Sequence, residues 1–196
     1  MLQPHIDVQA SVASYRRQWE PPTELVKLQE DLERYRTVIA TDKPQVLVEC
    51  GTWRGASARW FAAHGLRVIT VDKDDYTSHR TDDVTWIVGD SRSPEVAAQV
   101  AELVGSDRCM VVLDSDHTAR HVAAEIKLYG PLVSPGCHLV VEDGIVRWLD
   151  DPQFVNGGPL EAVEELLADN GDWQRDITVE SIFSVSMHPC GWWRRL

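Results

Sequence analysis

From residue 45 onward short apolar runs alternate with amphipathic stretches, and the spacing predicts a strand–helix repeat. Strands are expected over Gln45–Val48, Val68–Val71, Val84–Val88, Met110–Leu113 and His138–Val141. They are rich in the β-branched residues of strands buried on both faces. Helices are expected over Ala56–His64, Pro94–Val104, His117–Tyr129 and Leu160–Asp169, the last stopped by Asn170-Gly171. Ahead of the repeat, Leu25, Leu28, Leu32, Tyr35 and Ile39 recur at helical spacing, with Thr23 as N-cap. Residues 1–22, punctuated by Pro21-Pro22, read as irregular. Leu149–Gly158, with Pro152, Asn156, Gly157 and Gly158, reads as a loop. Residues 173–196 alternate through Ile177, Val179, Ile182 and Val185 and read as two antiparallel strands. The whole implies an α/β fold: a doubly wound, mainly parallel sheet with an antiparallel C-terminal hairpin, residues 23–196 forming one domain.

Charge narrows the partners. A net charge of −12 argues against a nucleic-acid backbone or an anionic membrane surface and suits a neutral or cationic small substrate. No apolar run reaches the roughly 18 residues of a membrane span, and Met1–Asp7 shows no secretory pattern. Cys50, Cys109, Cys137 and Cys190 form no C-x-x-C pair, so neither a zinc knuckle nor a disulfide framework is indicated, and cytoplasm is the default location.

Two acidic clusters carry the chemistry. Asp114-Ser115-Asp116-His117 follows one buried strand and Glu142-Asp143 the next, at the edge where open α/β sheets build their sites. Carboxylates gathered there repel unless a cation sits among them, which points to a hard divalent metal beside a histidine. The blander readings are helix caps at Asp114 and Asp116 and a solvated turn at Glu142-Asp143. His117, His121 and Glu125 at i, i+4 spacing would also suit zinc, and His121 otherwise reads as exposed or structural.

Upstream, Glu49-Cys50-Gly51-Thr52-Trp53-Arg54-Gly55-Ala56-Ser57 is a strand end, a glycine turn and a helix start. Such a turn lets a ligand approach the backbone and offers free N–H groups to an anion. Asp72 closes the next strand where a carboxylate grips ribose hydroxyls, and Gly89-Asp90-Ser91 follows the third. The dinucleotide fingerprint needs glycine where Trp53 stands, which favours a nucleoside without pyrophosphate, such as S-adenosylmethionine (SAM), over NAD. A NAD-dependent oxidoreductase and a catalytically silent nucleoside-binding module are the competing readings. Trp148 and the 149–158 loop are candidate acceptor contacts, the loop as a lid; packing is the alternative for Trp148.

The pattern E-x-G-T-x-x-G-x-S at Glu49–Ser57 resembles that of the cephalosporin hydroxylase-like and macrolide-sugar O-methyltransferase group of class I SAM-dependent methyltransferases. So do L-D-S-D-H at 113–117, P-L-V-S-P-G with L-V-V-E-D across 131–143, G-P-L-E-A-V at 158–163 and the closing M-H-P-C-G-W-W-R-R. The narrower likeness is to small actinobacterial members that methylate mannosides. The resemblance implies a Rossmann-like class I fold, magnesium held by Asp114, Glu142 and Asp143, and His117 as general base. Together with the glycine turn and the strand-end residues read above, the expected SAM contacts are Glu49, Gly51, Thr52, Gly55, Ser57, Asp72, Asp90 and Ser91. The implied reaction is methyl transfer to a hydroxyl of a sugar or oligosaccharide acceptor, and a homodimer is compatible with it.

Overall fold

The computed structural model describes residues 1–17, 25–76 and 79–196. Its centre is a 7-stranded sheet in the order β3-β2-β1-β4-β5-β7-β6. β1 (Val46–Cys50), β2 (Arg67–Asp72), β3 (Val84–Val88), β4 (Cys109–Leu113) and β5 (His138–Val141) run parallel. β7 (Trp192–Arg195) runs antiparallel between β5 and β6 (Trp173–Arg175). Every residue of β1, β4 and β5 is buried, as a parallel sheet covered on both faces requires.

Around the sheet lie α2 (Gln29–Asp42), α3 (Ala56–Ala63), α4 (Pro94–Val104), α5 (Ala119–Tyr129) and α6 (Pro159–Leu166). α4 starts at Pro94 behind Ser93, whose hydroxyl accepts from Glu95 and Val96 N–H. α2 presents Tyr35, whose ring packs edge-on to Phe61 at 5.0 Å and against Trp192 at 4.9 Å. Among the described residues no helix is long and apolar enough to cross a membrane.

Three expectations are corrected. Residues 1–22 are not irregular throughout, because Val8–Arg17 forms a helix, α1. Asp7 begins it, its carboxylate accepting Ala10 N–H at 3.0 Å, and Ser11 is buried and accepts Ser186 N–H at 3.2 Å. The helix carrying Tyr35 starts only at Gln29, so Leu25 precedes it, while the proposed cap Thr23 lies outside the described residues. The C-terminal alternation through Ile177, Val179, Ile182 and Val185 is not a strand pair. Asp176 caps a short helix, α7 (Ile177–Glu180), by accepting Val179 N–H. At its end and beyond it, the buried Arg34 guanidinium gathers the carbonyls of Val179, Glu180, Phe183 and Val185 at 2.6–3.3 Å. A cation collecting those carbonyls leaves them no ladder to join, so the antiparallel pair is confined to Trp173–Arg175 and Trp192–Arg195.

Under the sheet edge, His138 bridges Asp42 at 2.6 Å and Asp176 at 3.3 Å. Burial opposes its charged form, but the hydrogen bonds to Asp176 and Asp42 outweigh that and raise its pKa. The stabilisation is therefore complete below the unfolded value of about 6.5 and is lost as pH rises through the folded one. From about pH 6 to about pH 9 the denaturant midpoint should fall, with a shallower fall for His138→Gln. Parallel profiles for the two proteins would refute this.

Candidate functional site

The register of β4 on β5 pairs Leu113 with Val141, so the acids that follow emerge side by side. The ladder runs one step further: Asp114 N–H donates to Cys50 O at 2.8 Å and Glu142 N–H to Leu113 O at 2.9 Å. Gly51 is what lets β1 end against them. At its φ of +85° a Cβ would lie 2.1 Å from the Asp114 carbonyl oxygen, so another side chain would displace the first acid.

After Gly51 the chain turns through Trp53, a non-glycine residue at φ 45°. Asp72 holds that turn: one carboxylate oxygen accepts Thr52 N–H at 3.0 Å and Trp53 N–H at 2.8 Å, and the other accepts Asp74 N–H at 2.9 Å. The backbone donors expected to face an anionic ligand are thus turned onto Asp72.

Two cavities meet here. The larger, about 370 Å³, is lined in part by Gly51, Asp72, Asp90, Ser91, Asp114 and His117. The smaller, about 230 Å³, is lined in part by Tyr15, Lys27, Thr52, Ser57, Glu142 and Asp143. Gly51, Trp53, Asp114 and His117 belong to both. The expected nucleoside set therefore divides. Gly51, Asp72, Asp90 and Ser91 face the larger space, whereas Thr52 and Ser57 face the smaller. Glu49 lines neither; it is buried, accepts the Thr70 hydroxyl at 3.0 Å, and burial raises its pKa. Gly55 precedes α3 with φ 72°, where a Cβ would strike the Trp86 ring at 2.1 Å.

On the far wall Asp90 accepts Arg92 side-chain bonds at 2.7 and 3.0 Å, which push its pKa down to about 2. Ser91 Oγ lies 3.1 Å from His121 Nε2, and His121 Nε2 3.3 Å from Glu125. The zinc reading of His117, His121 and Glu125 fails because α5 begins only at Ala119, which removes the shared helix face. Asp116 accepts Thr118 N–H at 2.9 Å, the local turn expected of it. Trp148 packs against the core from a short turn over Gly144–Trp148, and the 149–158 segment contains a further turn, Pro152–Phe154, with Gln153 on the larger cavity.

The acids are held by two cations. His117 Nε2 lies 3.3 Å from Asp114 and its Nδ1 3.2 Å from Asp143. Burial opposes the imidazolium, but Asp143 and Asp114 outweigh it and raise the His117 pKa to about 9. Lys27 Nζ stands 2.8 Å from Asp114 Oδ2 and 2.7 and 2.6 Å from the Glu142 oxygens. Tyr35 donates to Glu142 as well, at 2.5 Å. Burial would raise Asp114, yet Lys27 and His117 hold it well below the usual range. For Glu142 burial and Asp114 prevail and its pKa lies well above normal, while burial raises Asp143 to about 6. Asp143 sits at φ 54°, its N–H donating to His188 Nδ1 at 3.0 Å. The His188 ring, its pKa lowered to about 4 by burial, accepts that bond as a neutral imidazole.

Asp114, His117 and Asp143 each offer a donor atom, all within 4.8 Å of one another, and two of the donors are hard oxygens. The set fits a small divalent ion. Glu142, expected beside them, faces the same cavity but stands bonded to Lys27 and Tyr35. Lys27, Tyr35 and His188 were not among the expected site residues. His188 lies within a quoted motif, and Lys27 carries no local signal at all.

The family model described as Rhamnosyl O-methyltransferase/CmcI matches residues 13–196. The chain belongs to this family. It is thereby a SAM-dependent O-methyltransferase in class, and the family match begins inside α1 rather than after it. It is 32% identical to the rhamnosyl O-methyltransferase of Mycobacterium tuberculosis over 174 residues, covering 82% of this chain and 71% of that protein. The rhamnosyl O-methyltransferase of Mycobacterium leprae is 30% identical, with 80% and 73% covered. Among solved structures, CmcI with Mg and SAM has a TM-score of 0.64 at 18% identity, covering 92% of this chain and 84% of that one. MycE from the mycinamycin pathway, with Mg and SAH, has a TM-score of 0.58 at 20% identity over 81% of this chain. The chain spans only 44% of MycE, and likeness at these identities concerns the fold.

Proposed function

We propose that this chain transfers the methyl group of SAM to a sugar hydroxyl, with magnesium at Asp114, Asp143 and Glu142 and His117 as the base. The observation that carries the reading is the pair of cavities sharing Gly51, Trp53, Asp114 and His117. Methyl donor and acceptor must meet in line at roughly 3 Å, and a wall common to both spaces is where that happens. The larger space, with Asp72, Asp90 and Ser91, suits the nucleoside; the smaller, roofed by Tyr15 of α1, suits the acceptor.

Bound magnesium supplies Lewis-acid polarisation of an acceptor hydroxyl, and SAM supplies the methyl group. The protein's own part is proton handling and placement. His117 is held as an imidazolium by Asp143 and Asp114, and it yields its proton more readily as their charge is further countered. It is then neutral beside the acceptor space and can take the hydroxyl proton. His188 keeps Asp143 in its left-handed backbone conformation, aiming that carboxylate at His117.

The rhamnosyl activity of the curated relatives makes a rhamnoside the first acceptor to test and a mannoside the second. Calorimetry with S-adenosylhomocysteine, with and without Mg, should show binding at about 10 µM or tighter and none for NAD. Methyl transfer to either glycoside should then depend on added Mg. A preference for NAD, or transfer unaffected by chelation, would overturn the reading.

A further inference from the structure

Glu142 and one oxygen of Asp114 already have a cation between them. We propose that Lys27 is an internal counter-ion that holds the place of the divalent metal, so that metal binds only as the 25–28 stretch withdraws its ammonium. This rests on the metal reading above. The Lys27 side chain is 2% exposed, although its residue lines the acceptor cavity, and its Nζ touches three oxygens of the two acids at 2.6–2.8 Å. An ammonium so placed and a divalent ion bound to Asp114 and Glu142 would compete for the same lone pairs.

Lys27 stands on a non-helical stretch ahead of α2, whose N-cap residue Leu28 is extended at φ −66°, ψ 145°. Its departure does not strand Glu142. Tyr35 continues to donate to that carboxylate. His188 accepts Asp143 N–H through Nδ1, which puts its proton on Nε2, and that atom lies 3.6 Å from Glu142 without a hydrogen-bond partner. Without its counter-ion, half-buried Asp114 and buried Glu142 would set like charges against one another, which the ammonium offsets in the metal-free protein. Lys27 thus occupies the acids in the metal-free protein and sets how tightly the metal binds.

Two readouts test this without turnover. In Mg titrations by calorimetry, Lys27→Met should bind at least about tenfold tighter than the wild type, and Lys27→Arg should stay within about threefold of it. In the wild-type protein, labelling of Lys27 by an amine-acylating reagent, followed by mass spectrometry, should be slow without metal and rise at least about fivefold at saturating Mg. Unchanged or weaker Mg binding by Lys27→Met, or a Lys27 still protected when Mg is bound, overturns the proposal: the ammonium would then sit beside the metal, not in its place. Absence of Mg binding in both wild type and Lys27→Met overturns it together with the metal reading. Wild-type binding with no change in the variant overturns Lys27 alone.

Discussion

His117→Ala is expected to lower kcat by about 10³-fold or more while changing SAM affinity by less than about threefold. The imidazole is wedged between Asp114 and Asp143, at 3.3 and 3.2 Å, and borders both cavities. On the proposed reading it stands where a proton leaving the acceptor can be received, a part that Lys27 and Glu142 do not share. Lys27 is protonated against its carboxylates, and burial and Asp114 hold Glu142 well above its normal pKa. The nucleoside contacts proposed for Asp72, Asp90 and Ser91 lie elsewhere on the larger wall, so donor binding should survive. Single-turnover rates and a donor titration on the same preparation separate the two effects. A variant retaining a tenth of the rate would remove His117 from the role of base.

Arg34→Met should destabilise the fold by roughly 3–5 kcal/mol. The guanidinium is wholly buried, pairs with Asp31 at 2.9 Å and binds four carbonyls, those of Val179 and Glu180 at the end of α7 and those of Phe183 and Val185 in the segment beyond it. Methionine fills much of the same volume but supplies no donor. Asp31 would remain a buried carboxylate bonded to Ser186 Oγ at 2.6 Å and Met187 N–H at 2.9 Å, with His188 Nε2 3.7 Å away. Several carbonyls would lose their partner at once. For a domain of this size the loss corresponds to a Tm drop of about 10 °C, read by calorimetry. A change below about 1 kcal/mol would mean that the segment keeps its course without the cation. Because His188 follows directly on that segment, the same variant should also loosen Asp143.

Much of this was legible in the chain because its signals are local. Five of the strands are short β-branched runs at strand length, and the acids that follow them needed no tertiary information to be placed at strand ends. α1 was legible in principle. Asp7 precedes Val8, Val12 and Tyr15, a cap followed by a helical stripe, but the prolines at 21 and 22 drew the whole segment into a loop reading. The alternation through Ile177–Val185 misled for the opposite reason. A period of two is necessary for a half-buried strand and not sufficient, and here a cap at Asp176 and a distant arginine compete for the backbone.

The local patterns of the chain were enough to place the strands and their mainly parallel direction, to set Asp114 and Glu142-Asp143 at successive strand ends and to reach the family to which the fold belongs; the order of the strands in the sheet came with the fold. Only the tertiary structure decided which cations face those acids. Lys27 meets Asp114 across 87 positions and Glu142 across 115. It likewise decided that His188 backs Asp143, that the residues expected to hold the nucleoside divide between two cavities and that Tyr15 of α1 lines the smaller one. A lone charged residue has no periodicity to announce its partner. Its place is set by burial and by the field of groups far away in the chain, which exist as a site only once the sheet has formed.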